Sequence, residues 1–490
     1  MLYRSTRNHA ETAASTRAVL SGIAPGGGLY MPADLNADAF HWQELLPLST
    51  VEMSRRILQH FLPDFQDMEG IVTRAYDGKF SVPELTPLVP VGDKYVLELF
   101  HGPTAAFKDV ALSVLPQLIV AAKRQEGVTE DIMILTATSG DTGKAALAGF
   151  RDVEGTRIAV FYPRDGVSAV QKAQMVTQEG ANVRVCAVEG NFDDAQTGVK
   201  EIFVRAGEEK LLEGKGVILS SANSINIGRL APQLVYYFRA YADLVRMGRI
   251  QPGDPVDFTV PTGNFGNILA GYLAKCLGLP VGKLVCASNA NNVLTDFIRT
   301  GTYDRRRPFH KTVSPSMDIL VSSNLERLLY LLSDCDPDFV AEKMAELKEQ
   351  GAYTVPEKLL KKLQKEFCAA CCDDSRTEET IGRVWREHGY LCDTHTAVAF
   401  DAAEGYCREH GGETPMVVLS TASPYKFPAA VVRGLGETPM EDEFAVMDQL
   451  HDLTGVPVPA PLQGLREKSV LHREVTAKEN MINYVLEAIG

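Results

Sequence analysis

Four short segments gather residue types that do chemistry, and each lies where an apolar run gives way to a loop. The first, ELFHGPTAAFKD at residues 98–109, sets Lys108 just beyond a Gly-Pro turn, at the head of an apolar helix. An amine pressed against apolar neighbours loses hydration, which favours its neutral form. A neutral amine is what condensation with an aldehyde requires. The ordinary alternative is a lysine that snorkels at a helix start. The second segment, PTGNFGN at residues 261–267, comprises Gly263, Asn264, Phe265, Gly266 and Asn267 between a strand and a helix beginning near Ile268. Glycines there let the backbone wrap an anion while free N–H groups and the helix dipole face it. The loop has neither the Lys-Ser/Thr end of a nucleoside-triphosphate loop nor the spacing of a dinucleotide fingerprint. A plain glycine-rich turn is its alternative.

The third segment, ATSGDTGK at residues 137–144, crowds the hydroxyls of Ser139 and Thr142 around one carboxylate, Asp141. At a helix start this can hold a second anionic group, such as a carboxylate, or simply cap the helix. The fourth, SANSINIGR at residues 221–229, offers Asn223, Ser224 and Arg229 ahead of a long helix. A guanidinium grips phosphate through two parallel hydrogen bonds. Polar capping beside a solvated arginine is the alternative.

The elements that must position these loops read as α/β. Apolar runs at Tyr95 (YVLELF), Asp131 (DIMILTA), Arg157 (RIAVFY), Val183 (VRVCAV), Val217 (VILS), Asp257 (DFTVP), Lys283 (KLVCAS) and Met416 (MVVLS) are rich in β-branched and aromatic residues, as strands are. Residues 169–178 and 229–245 between them carry helical spacing. Strands joined by helices are parallel with right-handed crossovers, and ligands bind beyond their carboxyl ends, where all four loops fall. The expected division is an appendage of helices and loops at 1–94, an α/β domain at 95–225, and a second α/β domain at 226–490. A helical insertion without a convincing strand is expected at about 325–386.

A net charge of −14 argues against a nucleic-acid partner. Arg305, Arg306 and Arg307 read as a solvated loop. Nine cysteines without a disulfide framework read as reduced thiols, with Cys368, Cys371 and Cys372 expected on a helix and no metal site completed around them. The start, MLYRSTRNHAET, has no apolar core of a signal peptide, and no apolar run reaches membrane-spanning length, so a cytoplasmic protein is expected.

Taken in order, the segments resemble the threonine synthase family, within the tryptophan synthase β-like group of pyridoxal-phosphate (PLP) enzymes. HGPTAAFKD is similar to the family's cofactor-lysine motif; SGDTG, GNFGN, SMDI at 316–319, SSNLER at 322–327, YRSTR at 3–7 and APGGGLYMP at 24–32 match as well. The resemblance implies two largely parallel α/β domains and PLP carried by Lys108 as a Schiff base. It implies GNFGN on the cofactor phosphate and Thr421 at the pyridine nitrogen. Ser139, Thr142, Asn223, Ser224 and Arg229 would contact O-phospho-L-homoserine, in a monomer or weak homodimer. Where relatives read TAHPAKF, this chain reads TASPYKF, with Ser423 and Tyr425 and with Lys426 retained. His395, ahead of an apolar helix, is expected to be structural or capping. Two other readings stay open: a phospholyase ending at 2-oxobutyrate, ammonia and phosphate, and a silent protein that keeps the fold.

Overall fold

Strands that are apolar on both faces need helices on both sides, and the chain supplies them in alternation. The computed structural model describes residues 1–164 and 167–489. One sheet has five strands, in the order Val475–Ala477, Val183–Glu189, Thr156–Pro163, Asp131–Ala137 and Val217–Ser220, every neighbouring pair parallel. The other has six, in the order Phe367–Cys371, Val281–Ser288, Val256–Pro261, Met416–Ser420, Lys94–Glu98 and Leu88–Val91. Its pairs are parallel except the last, a tight antiparallel hairpin. All eight expected strands are present, and the helices Lys108–Leu112, Asp141–Phe150 and Gly266–Cys276 start within the expected loops.

The structure departs from the sequence expectations in three places. A cut between residues 225 and 226 does not separate the sheets. The strand Lys94–Glu98 is zipped onto Met416–Ser420, and Val475–Ala477 near the C-terminus returns to the five-stranded sheet. Hydrophobic patterning identifies a strand but carries no information on its partner, which is chosen by tertiary contact. Residues 325–386 hold two strands, Ala352–Thr354 and Phe367–Cys371. Cys368 and Cys371 therefore lie on a parallel edge strand and Cys372 just beyond it, not on a helix. The small side chains of FCAAC let helices Val293–Thr300 and Thr394–His410 both contact that strand. The N-terminal region adds a three-stranded sheet, Asn8–Ala13, Tyr3–Ser5 and Tyr30–Pro32, to its helices. Among the described residues no helix is long and apolar enough to cross a membrane.

Candidate active site

Lys108 is the first residue of its helix and only 8% exposed, with Nζ 4.5 Å from the centre of the Phe107 ring. The approach is a strained turn: Ala105 has φ 59°, and a Cβ on Gly102 would lie 2.4 Å from Cβ of Asp109. The turn is held from within by Thr104, which donates to Asp109 through its N–H (2.8 Å) and hydroxyl (2.6 Å). It is held from outside by the segment after Met416–Ser420, since Phe107 N–H donates to Thr421 O (2.8 Å) and Ser423 N–H to Ala105 O (3.1 Å). Burial pushes the Lys108 amine down to about 8; Asp141 opposes this, while Arg229 and Lys426 add to it.

The sign of this shift gives a prediction. Between about 8 and the ordinary 10.5 the unfolded chain binds a proton on this amine that the folded chain has released, so stability rises with pH across that window. Cofactor-stripped Lys108→Met is therefore expected to be more stable than cofactor-stripped wild type at pH 7, by ~3 kcal/mol, with the gap closing above pH about 8. Urea unfolding at a series of pH values measures it, and a gap that ignores pH contradicts it.

Asp141 is the charged hub of the site. Its carboxylate is 2.7 Å from Lys426 Nζ and accepts from Gln171 Nε2 (2.9 Å) and Ser316 Oγ (3.3 Å). Burial raises its pKa, but the Lys426 and Lys108 charges outweigh it and hold the carboxyl well below the usual range. Lys426 is fully buried and also donates to Thr104 O (3.1 Å). Asp141→Asn strands that ammonium, which costs about 3–5 kcal/mol; adding Lys426→Met is expected to recover most of the loss. Denaturant midpoints of the single and double variants check both halves.

In the same loop Thr138 Oγ1 accepts from Gly140 N–H (3.0 Å) and Gly143 N–H (2.8 Å). This pins the turn while Ser139 and Thr142 stay half-buried, their hydroxyls unbonded among the described residues. A Cβ on Gly140, where φ is 138°, would lie 2.4 Å from Gln171.

At residues 263–267 the chain enters its helix through Phe265, with φ 62°. The five backbone N–H groups from Gly263 to Asn267 find no acceptor among the described residues. The Asn267 amide is oriented by Tyr236 and Tyr237, whose hydroxyls donate to Oδ1 at 2.7 and 2.9 Å. Its Nδ2 is buried with no partner. A Cβ on Gly263 would lie 2.8 Å from Ser316 O, and one on Gly266 would lie 3.7 Å from Cβ of Ser224. The glycine loop thus touches both the Asp141 cluster and the fourth segment.

In that fourth segment Asn223 and Ser224 are half-buried, and Arg229 is 5% exposed. Its Nη1 donates to Ala222 O (2.8 Å), and among the described residues no carboxylate pairs with it. Burial lowers its pKa to about 10, countered by Tyr236, so it is charged at neutral pH. A buried guanidinium without a counter-ion is a site for an anion.

Thr421 is buried, and its hydroxyl is unbonded among the described residues. Ser423 caps a short 3-10 turn, accepting from Tyr425 N–H (3.3 Å), and Tyr425 is wholly buried. His395 bridges Asp393 (Nδ1, 2.6 Å) and Ser316 N–H, which donates to Nε2 at 3.1 Å, so it buttresses the loop beneath Gly263. Contacts link the predicted segments pairwise: Thr421 O accepts from Phe107 N–H beside Lys108, Ser316 touches both Asp141 and the Gly263 position, and Asn324 joins Ser224 to Asn264. Sequence reasoning assigned no task to Gln171, Ser316, Asn324 or Arg327. The last three sit in the SMDI and SSNLER segments, which carried a signal; Gln171, inside an ordinary helix, carried none.

Comparison with known proteins follows the same outline. The sequence profile described as "Pyridoxal-phosphate dependent enzyme" matches residues 82–422, with "Threonine synthase N terminus" at 2–76 and "Threonine synthase, C-terminal" at 396–475. The chain is 41% identical to threonine synthase of Pseudomonas aeruginosa, over 90% of this chain and 92% of that one. It is 40% identical to human threonine synthase-like 1, over 86% of this chain but only 58% of that longer protein. The crystal structure of PLP-bound threonine synthase from Brucella melitensis superposes with a TM-score of 0.87 at 38% identity, covering 100% of this chain and 99% of that one.

Proposed function

The chain belongs to the threonine synthase family of pyridoxal-phosphate-dependent enzymes, and from that premise we propose that it converts O-phospho-L-homoserine and water into L-threonine and phosphate. The observation that supports the reading is a buried amine of lowered pKa close enough to Asp141 and Arg229 to feel both charges, in a chain that also leaves the N–H groups of residues 263–267 and the Arg229 guanidinium without an anionic partner among the described residues. The residues present fit the cofactor. Five unpaired N–H groups and the orphaned Asn267 Nδ2 suit its phosphate, and at Gly263 even a methyl group would crowd the Ser316 carbonyl. Lys108 supplies the amine for its aldehyde, and Thr421 a neutral hydroxyl for its ring nitrogen.

When bound, the cofactor supplies an electron sink for charge developing on the substrate's carbons. The chain does the rest. Lys108, neutral for a substantial fraction of the time near pH 8, removes and later returns the proton at Cα. Arg229 and Ser224 hold the γ-phosphate, while Ser139, Thr142 and Asn223 hold the α-carboxylate end. With both ends fixed, the breaking bonds stay aligned. Over the cycle the Cγ–O bond to phosphate breaks and Cγ gains a proton, while Cβ exchanges a proton for the hydroxyl of water. The reading carries with it a cytoplasmic location and a monomeric or weakly dimeric state, on the strength of family resemblance.

One experiment tests it: borohydride reduction of the holoprotein, peptide mapping of the adduct, and assay of the same preparation with O-phospho-L-homoserine. The adduct is expected on Lys108, with threonine and phosphate released in equal amounts. Phosphate with 2-oxobutyrate and little threonine replaces the reading by a phospholyase, and no phosphate release refutes both.

A further inference from the structure

Behind the two phosphate-facing loops lies a pair that the proposed chemistry leaves unused. Arg327 is wholly buried, and among the described residues no carboxylate pairs with it. Its guanidinium instead donates to backbone oxygens of Tyr30 (3.2 Å), Ser224 (3.4 Å) and Ile225, and to Asn324 Oδ1. Arginine has donors only, so the Asn324 atom facing it must be the oxygen. The amide is thereby fixed with Nδ2 on the other side, donating to Ser224 Oγ (3.0 Å) and Asn264 O (3.1 Å). Asn324 N–H donates to Asn264 O as well, at 3.0 Å.

A hydroxyl has one proton to give. Because Asn324 occupies an acceptor position of Ser224, and no acceptor for the Ser224 proton is present among the described residues, that proton is free for an incoming anion. We propose that Asn324, oriented by Arg327, is a positioning residue that presents Ser224 as a donor to phosphate and yokes this loop to the glycine loop at Asn264. The proposal rests on the functional reading only in taking the anion to be the substrate's phosphate.

The test is a double-mutant cycle on the holoprotein, titrated with inorganic phosphate by calorimetry, without turnover. Asn324→Ala and Ser224→Ala are each expected to weaken phosphate binding about tenfold, and the double variant to be no weaker than Ser224→Ala. Cofactor absorbance is expected to be retained throughout. If Asn324→Ala unfolds the protein, the cycle with Asn324→Asp keeps an acceptor for Arg327. The added charge cancels, because it is present with and without the Ser224 hydroxyl. Equal weakening in both backgrounds, or none in either, overturns the proposal. Coupling without threonine formation leaves the proposal standing and removes the reaction; threonine formation without coupling does the reverse.

Discussion

Replacing Lys108 by alanine is expected to abolish the borohydride-reducible adduct and to cut turnover by at least about a thousandfold. The magnitude comes from two losses. A positioned proton-transfer group is worth roughly 10²–10⁴ in rate, and the covalent hold on the cofactor disappears with the same side chain. Retention of the cofactor by contacts alone is still expected, because the N–H groups of residues 263–267 and the Asn267 amide are untouched by the change. Absorbance after exhaustive dialysis, with steady-state phosphate release, separates the two effects. An adduct that persists would move the anchor to another amine. Lys426 sits beside Asp141, while Lys144, pushed down to about 7 by burial and the Lys426 charge, donates to Gln178. Mapping the adduct in the variant discriminates them.

That Lys108 heads a helix and residues 263–267 join a strand to a helix was legible in the sequence because those conformations are set locally. A lysine at a helix head after a Gly-Pro turn, or glycines between a strand and a helix, declare their conformation within a few residues. The contacts that bring the predicted segments together are not local. Ser316 reaches Asp141 across 175 residues and Asn324 reaches Ser224 across 100, and neither pairing leaves a trace in spacing or composition. Arg229 and Lys426 show the same limit from another side. Each has a sequence that suits a solvated cation as well as a buried one, and only tertiary packing decides. The misjudged cysteines arose where intrinsic pattern is weakest. FCAAC is too short and too small in side-chain volume for periodicity to speak, and its strand exists because Val281–Ser288 offers it an edge.

Arg229→Met is expected to separate binding from stability in opposite directions. The wild-type guanidinium is buried, charged and without a carboxylate partner among the described residues, with a single hydrogen bond to Ala222 O. Desolvating such a group costs several kcal/mol unless an anion completes it. In phosphate-free protein, an apolar side chain of similar length should therefore leave stability unchanged or raise it by about 1–4 kcal/mol. With phosphate present the order reverses. Wild type gains from ligand linkage, whereas the variant, having lost a charge-assisted contact worth ~2–5 kcal/mol, binds phosphate at least about thirtyfold more weakly and gains little. Arg229→Lys is not expected to rescue, because an ammonium does not reproduce the planar fork. Thermal unfolding of the three proteins across a phosphate series reads all of this at once. A variant destabilised equally with and without phosphate would mean that Arg229 serves only to brace the Ala222 carbonyl, and the proposed second anion site would be lost.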